Sequence, residues 1–238
     1  ASGAELLQAV RQGRLWINVV RVQADDSPLA DLVQRVYGEL RELRPQFRPD
    51  GITSTLLISS PQAQVYYHVD GPANLLWHIR GRKRLFVYPP VLPYLSRERL
   101  EDIFANVVGE EMRYDPSWDH DAVVIDLDPG DWAAWPHNSP HRVENLGTFN
   151  VSLTTNHVTP QNLRRSHVYL ANRYFRRQWG LPSTSTREVG VVSSAKAFSY
   201  RVCRKLGLDD AKSSFAYAPR YRIDLNSPNA ILPLTDGR

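Results

Sequence analysis

Two metal-binding side chains lie two residues apart in the segment Tyr67-His68-Val69-Asp70. If this segment is a strand, His68 and Asp70 point to the same face, because side chains in a strand alternate between its two faces. A third ligand from a distant strand would complete a facial triad of two histidines and one carboxylate, which is typical of non-haem Fe(II) oxygenases. Taken alone, the pair would equally suit the exposed end of a strand.

The third ligand is expected from residues 135–143, which contain His137 and His141. This segment follows a predicted strand–turn–strand unit at residues 125–132, where an antiparallel barrel would bring a second strand end towards the first. Periodicity alone does not choose between His137 and His141.

Lys83 begins a predicted strand in which Lys83, Leu85 and Val87 share one face. If that face is inward, the ammonium group needs a partner, since an unpaired buried charge is energetically expensive. The carboxylate of a bound ligand would be such a partner. The alternative is that Lys83 belongs to an exposed basic cluster with Arg80, Arg82 and Arg84.

Asn156 ends a row of polar residues that alternates with apolar ones along residues 149–157. In a sandwich with one apolar face, this row would face solvent. In a barrel with a polar interior, it would line the active site. The sequence leaves both interpretations open.

The elements that must position these residues are mostly short strands. Stretches rich in β-branched and aromatic residues are separated by turn residues, and they lie at 52–60, 64–69, 74–79, 84–88, 122–127, 132–135 and 149–157. Helical spacing of leucine and valine predicts a helix at 29–43, and a second helix is expected at 96–108. This pattern predicts a mainly β fold with flanking helices, built around a jelly roll of the double-stranded β-helix type.

The last third of the chain is predicted to be helical. Thr159 and Pro160 are suited to the start of a helix that ends at Gly180, and a further helix is expected at 193–206 before Gly207. We therefore divide the chain into residues 1–158, a β core with N-terminal helices, and residues 159–238, a basic helical region that packs on the core or dimerises.

The formal net charge of +4 conceals an uneven distribution. Residues 161–223 carry thirteen basic and three acidic side chains, whereas residues 1–160 carry fifteen basic and twenty acidic ones. Such a division marks a partner-binding face in some proteins. Alternatively, the basic side chains pair with the acidic part of the same fold.

Cysteine usage and hydropathy indicate a cytoplasmic protein. Cys203 is the single cysteine, so no internal disulfide is possible, and this suits a reducing compartment. No apolar run approaches the length of a membrane span, and the first residues lack the features of a signal peptide. No membrane partner is expected.

Taken together, the motifs resemble those of the JmjC-type, cupin-fold 2-oxoglutarate oxygenases, in particular the small asparaginyl-hydroxylase-like branch. The matching residues are Tyr67-His68-Val69-Asp70, Asn74, Lys83, Pro89-Pro90, Asp128-Pro129-Gly130-Asp131, Pro136, His141-Arg142-Val143 and Asn156. Their order and spacing match that branch, and the resemblance covers about residues 51–158. One position departs from the pattern, because Val65 stands where many members have a threonine that binds the cosubstrate. Thr53, Thr55 or Tyr66 would have to supply that hydroxyl.

The resemblance implies Fe(II) bound by His68, Asp70 and His141, with His137 in the approach loop. It further implies 2-oxoglutarate as cosubstrate and O2 as oxidant, with Lys83 binding the far carboxylate of 2-oxoglutarate. Asn74 and Asn156 would line the cosubstrate pocket. C-terminal helices often form a dimer interface in the family, so a homodimer through these helices is expected.

The predicted function is hydroxylation of a protein or peptide side chain, or of a small molecule. N-methyl demethylation uses the same chemistry and is one alternative. A cupin-fold binding or regulatory module without turnover is another, although the complete set of site residues argues against it. Nucleic-acid binding by the basic C-terminal residues is retained as a secondary activity only, since no recognised motif accompanies them.

Overall fold

The fold is known here from a computed structural model, which describes residues 2–22, 28–182, 185–208 and 221–234. In these ranges the α-helices are α1 (Gly3–Gln12), α2 (Pro28–Leu43), α3 (Arg97–Phe104), α4 (Pro160–Trp179) and α5 (Val191–Lys205). The strands are β1 (Trp16–Val20), β2 (Asp50–Ser59), β3 (Gln64–His68), β4 (Ala73–Arg80), β5 (Lys83–Val87), β6 (Val123–Leu127), β7 (Trp132–Ala134), β8 (His141–Asn145), β9 (Asn150–Val158), β10 (Tyr221–Ile223) and β11 (Ile231–Pro233). Residues 183–184, 209–220 and 235–238 of the predicted basic helical region lie outside the described residues.

Strands β2 to β9 form two antiparallel sheets. One sheet has the order β1-β2-β9-β4-β7 and the other has the order β3-β8-β5-β6. Successive strands from β2 to β9 pass from one sheet to the other, except that β5 and β6 are neighbours in one sheet. This is the topology of a double-stranded β-helix, the jelly roll found in cupins. The predicted fold class is therefore confirmed, and β1 extends the first sheet at its edge.

An apolar core lies between the two sheets. Its buried members come from both sheets and are Leu76, Leu85, Val87, Leu127, Ala133 and Val143. Lys83, Leu85 and Val87 are buried on one face of β5, whereas Arg84 on the other face pairs with Asp126 at the surface. The inward orientation of Lys83 is therefore correct, and its assignment to an exposed cluster is wrong.

The helices cover the outside of the jelly roll. Val33 and Tyr37 of α2 pack with Leu75 and Leu153 on the outer face of the five-stranded sheet. Helix α3 packs against α4, and α4 packs against α5. Within the part of the chain that the structure describes, no helix combines the length and hydropathy needed to cross a bilayer.

Local sequence signals predict the ends of α4 correctly and the end of α3 incorrectly. The side chain of Thr159 accepts a hydrogen bond from the backbone N–H of Asn162, and Gly180 closes the helix at φ +62°. Helix α3, predicted to continue to residue 108, ends at Phe104 because the next residues leave the helical path, with Asn106 at φ +53°. The predicted helix at 193–206 corresponds to α5.

Several basic residues of α4 form ion pairs within the chain. Arg173 binds Asp102 at 2.9 Å, and Arg176 binds the buried carboxylate of Glu101, so both link α4 to α3. Arg165 pairs with Glu188 at 2.5 Å. These pairs favour the interpretation that part of the basic charge neutralises acids of the same fold.

Gly81 lies in the turn between β4 and β5, at a tightly packed end of the jelly roll. A Cβ at this position would lie 2.5 Å from both the Phe149 carbonyl oxygen and Asn150 Oδ1, at φ +89°. Gly130 has a similar φ of +99° but open space around it. We expect Gly130→Ala to lower the free energy of unfolding by about 1–2 kcal/mol, from backbone strain alone.

For Gly81→Ala the steric overlap adds to this strain, and a total loss of about 2–5 kcal/mol is expected. Urea denaturation of both variants measures the difference. Equal losses would show that the turn moves to accommodate a methyl group.

Candidate metal centre

His68, Asp70 and His141 meet at one point because β3 and β8 are neighbours. His68 at the end of β3 lies opposite His141 at the start of β8. His141 Nε2 is 3.2 Å from Asp70 Oδ2, and His68 Nε2 is 3.7 Å from Asp70 Oδ1. One donor atom from each of the three residues lies within 4.8 Å of the others. The structure thus brings together the three predicted ligands.

Backbone carbonyls fix the tautomer of both histidines. His68 Nδ1 lies 2.7 Å from the Tyr66 carbonyl oxygen, and His141 Nδ1 lies 3.1 Å from that of Ser139. A carbonyl oxygen only accepts hydrogen bonds, so each Nδ1 carries a hydrogen. Each Nε2 lies on the side of the Asp70 carboxylate and is able to bind a metal ion when it carries no hydrogen, as metal-binding histidines require.

Electrostatics favour the protonation states of His68 and Asp70 that a metal needs. Burial lowers the pKa of His68 to about 4, and the neighbouring His141 adds to this effect. Burial opposes ionisation of Asp70, but the interactions with His141 and His68 outweigh it and lower the pKa of Asp70 to about 2. Near neutral pH, neutral His68 and ionised Asp70 are ready to bind a cation. The donor set therefore fits a metal ion.

His137 does not join the triad. Its Nε2 lies 2.9 Å from the Gly71 carbonyl oxygen, so the ring is directed at the backbone that follows Asp70. The structure thus settles by position the choice that periodicity left open, since His141 is the histidine beside Asp70 and His68.

The triad lies in a cavity of about 310 Å³ within the jelly roll. The other predicted site residues, Lys83, Asn74 and Asn156, also line this cavity. Its wall further includes Trp16, Asn18, Val20, Thr55, Leu57, Ser59, Val65, Tyr66, Leu76, Glu110, Glu111, Trp135, Val143 and Thr154. The cavity wall therefore combines polar and charged side chains with apolar side chains such as Leu57, Leu76 and Val143.

Lys83 is a buried cation without a partner among the described residues. Its exposed fraction is 3%, and no hydrogen bond or ion pair within the described ranges stabilises its ammonium group. Burial alone lowers the pKa of Lys83 to about 8. No carboxylate, including that of Asp70, is close enough to offset this effect.

Asn74 and Asn156 lie opposite each other on the paired strands β4 and β9. The Asn74 side-chain N–H donates to Asp70 Oδ2, so Asn74 orients the carboxylate. Asn74 Oδ1 is buried and has no hydrogen-bond partner among the described residues. Asn156 lines the cavity wall.

The aromatic residues divide between the cavity and the outer packing layers. Tyr66 and Trp135 line the cavity, whereas Trp77 stacks on Trp132 with ring centroids 5.5 Å apart beside α2. Tyr67 packs with Phe86 and Tyr88 in a separate cluster.

Three hydroxyl side chains were candidates to replace the threonine that is absent at Val65. Thr55 and Tyr66 lie in the cavity wall, and Thr53 is not among its lining residues. Thr154, which belongs to the polar row along residues 149–157, also lines the wall. His78 is not among the residues that line the cavity, and its ring nitrogens form hydrogen bonds with Ser152 Oγ and the Gly81 carbonyl oxygen.

Sequence reasoning missed several cavity residues, and those with functional side chains include Trp16, Asn18, Glu110 and Glu111. The first two lie on β1, a largely exposed edge strand without a clear alternation of polar and apolar residues. Glu110 Oε1 accepts a hydrogen bond of 3.2 Å from the Gly71 backbone N–H. Burial and the nearby Asp70 charge raise the pKa of Glu110. No local pattern places residues 110 and 111 beside the triad.

No family model and no curated protein matches this sequence. Among solved structures, the chain is similar to ycfD from E. coli, with 18% identity, a TM-score of 0.42 and coverage of 82% of this chain. It is also similar to an RmlC-like cupin from Shewanella frigidimarina (13% identity, TM-score 0.30, 46% of this chain and 68% of that one). A third is the DMSP lyase DddQ from Ruegeria pomeroyi (11% identity, TM-score 0.30, 47% of this chain). This chain spans 49% of the ycfD chain and 40% of the lyase. The fold assignment rests on the strand order and not on these values.

Proposed function

We propose that this protein is an Fe(II)- and 2-oxoglutarate-dependent oxygenase that hydroxylates a protein or peptide side chain, or a small molecule. The observation that carries the proposal is the buried ammonium group of Lys83, which has no partner within the described part of the chain and lies in the same cavity as the triad. A metal-binding cupin that acts on a neutral molecule has no need for such a cation. A dicarboxylate that binds the metal at one end needs one at the other.

The positions of Lys83 and His141 along their strands leave room for a ligand between the ammonium group and the triad. Lys83 pairs with Asn145 on β8, and Val87 pairs with His141. Four residues of strand separate these positions, which is about 13 Å of backbone at roughly 3.3 Å per residue. The pKa of Lys83 is shifted by burial alone, so its ammonium does not reach Asp70.

The roles of the residues follow from their contacts. His68, Asp70 and His141 would hold Fe(II) on one side, and Asn74 would keep the Asp70 carboxylate in place. When bound, the iron supplies the activation of O2 that converts 2-oxoglutarate to succinate and CO2 and adds one oxygen atom to the substrate. Lys83 would orient the far carboxylate. Leu76, Trp135 and Val143 would exclude water from the reacting groups.

The test is anaerobic titration of Fe(II) and 2-oxoglutarate, followed by visible absorption. A weak charge-transfer band that requires both components is expected, and admission of O2 should then give succinate. Formaldehyde released from N-methylated substrates would identify the demethylase variant of this chemistry. Iron binding without a band or succinate would favour the non-catalytic cupin module.

The pH dependence of cosubstrate binding follows from Lys83. The pKa of Lys83 in the folded protein, about 8, lies below the ordinary value of 10.5, so Lys83 loses its proton at a lower pH than an ordinary lysine does. Below pH 8 the ammonium is charged and able to bind a carboxylate. We expect the affinity for 2-oxoglutarate to fall about tenfold between pH 7 and pH 9, measured calorimetrically with Mn(II) in place of iron. The Lys83→Met variant should show a weak affinity that does not change over this range. If the affinity of the unaltered protein for 2-oxoglutarate did not change between pH 7 and pH 9, Lys83 would not be the residue that binds 2-oxoglutarate.

A further inference from the structure

The backbone around the carboxylate ligand is held from several directions. The Val69 N–H donates to the Glu110 carbonyl oxygen at 3.1 Å, and the Gly71 N–H donates to Glu110 Oε1 at 3.2 Å. On the other side, His137 Nε2 lies 2.9 Å from the Gly71 carbonyl oxygen. The loop that carries Asp70 is therefore anchored by residues distant in the sequence.

Asn138 is the most buried of these anchors, with an exposed fraction of 3%. Its side-chain N–H2 donates to the Asp70 carbonyl oxygen at 2.9 Å and to that of Gly71 at 3.4 Å. Its Oδ1 accepts a hydrogen bond of 3.0 Å from Arg165 Nε on helix α4. The orientation of the amide is fixed, because carbonyls only accept and a guanidinium only donates.

The chain of contacts continues into the C-terminal region. Arg165 pairs with Glu188 at 2.5 Å, and Gln161 Nε2 donates to the other oxygen of Glu188 at 3.0 Å. The Arg165 and Glu188 side chains are 18% and 22% exposed, so solvent screens this pair only in part. Helix α4 thus reaches a metal ligand through a single intermediate side chain.

We infer that Asn138 is a positioning residue for the metal-binding carboxylate, and that Arg165 transmits the position of α4 to it. The inference rests on the proposed function only in that His68, Asp70 and His141 hold a metal ion. Residues that orient metal ligands in this way affect metal affinity by about 10- to 100-fold. It follows that helix α4 supports the metal centre and is not a separable appendage.

Two substitutions of Asn138 separate hydrogen bonding from backbone strain. Asn138 has φ +63°, which glycine adopts without cost, so Asn138→Gly removes the side chain alone. Asn138→Asp keeps an acceptor for Arg165 but cannot donate to the Asp70 carbonyl oxygen. We expect both variants to bind Co(II) about 10- to 100-fold more weakly than the unaltered protein, measured by visible absorption in competition with a chelator.

The controls distinguish positioning from a general loss of stability. Asn145→Ala removes comparable hydrogen bonds, to Ser59 Oγ and the Ser60 carbonyl oxygen, without contacting the triad. Its unfolding midpoint in urea should fall while its affinity for Co(II) stays within threefold. Arg165→Gln should weaken Co(II) binding, whereas Arg176→Gln, which breaks another ion pair of α4, should not.

Co(II) affinity within threefold of the unaltered protein in both Asn138 variants would overturn the inference. Absence of Co(II) binding by the unaltered protein would overturn both the inference and the proposed function. A third outcome is that the unaltered protein binds Co(II), the Asn138 variants bind it more weakly, and 2-oxoglutarate has no effect on the bound ion. In that case the inference stands and the proposed function fails.

Discussion

The Lys83→Met variant is expected to be more stable than the unaltered protein without ligand and to lose its response to 2-oxoglutarate. Lys83 is buried and has no partner in the part of the chain that the structure describes, and the lowering of its pKa from 10.5 to about 8 corresponds to a desolvation cost on the order of 3 kcal/mol. Methionine is similar in length and carries no charge. We expect its metal-free form to gain roughly 1–3 kcal/mol of unfolding free energy at pH 7, measured by urea denaturation. Its affinity for 2-oxoglutarate should fall at least about 100-fold, because an ionic partner is removed from a buried site.

Arg84→Met is the matched control for this prediction. Arg84 follows Lys83 on the same strand but points outward, where it pairs with Asp126 at 2.6 Å in a partly exposed bridge. Its replacement should change stability by less than about 1 kcal/mol and leave 2-oxoglutarate binding intact. A loss of stability in Lys83→Met, with unchanged 2-oxoglutarate affinity, would show that the ammonium serves the fold and not a ligand.

The parts of the fold that the sequence predicts well are those encoded by neighbouring residues. Helix α4 begins after Thr159 and ends before Gly180, because capping depends on the residue at each end of the helix. The end of α3 was missed, since no glycine or proline marks it and Asn106 turns the chain instead. Strand β1 was missed because it lies at a sheet edge and its side chains are mostly exposed. Its place in the fold comes from pairing with β2, about forty residues away.

The same distinction applies to the candidate site. His68 and Asp70 share a strand end, so spacing alone brings them together. The third donor depends on the register between β3 and β8, which no local pattern contains. Resemblance to a family supplied His141, and the strand pairing explains why His137 could not take its place. Glu110 and Asn138 reach the Asp70 loop through tertiary contacts alone, and neither was predicted.

Asp70→Asn should have the largest effect on metal binding of any conservative substitution in this chain. The amide keeps the shape of the side chain and an oxygen that can accept from Asn74, but it removes the negative charge between the two histidine Nε2 atoms. Loss of a direct ligand should exceed the 10- to 100-fold effect that is usual for residues behind the ligands. We expect affinity for Fe(II) and Co(II) to fall more than about 100-fold, and succinate formation to become undetectable.

Asp119→Asn shows whether this effect belongs to the metal site. Asp119 is also a carboxylate in a hydrogen-bond network, accepting from Tyr88, Tyr114 and Arg142, but it lies outside the cavity. Its replacement should lower the free energy of unfolding by roughly 1–3 kcal/mol, because charge-assisted hydrogen bonds are weakened, and leave metal affinity unchanged. Reduced metal affinity in both variants would show that destabilised packing, and not the removal of a metal ligand, causes the loss. Strong metal binding by Asp70→Asn would remove Asp70 from the ligand set, and with it the facial triad on which the oxygenase proposal depends.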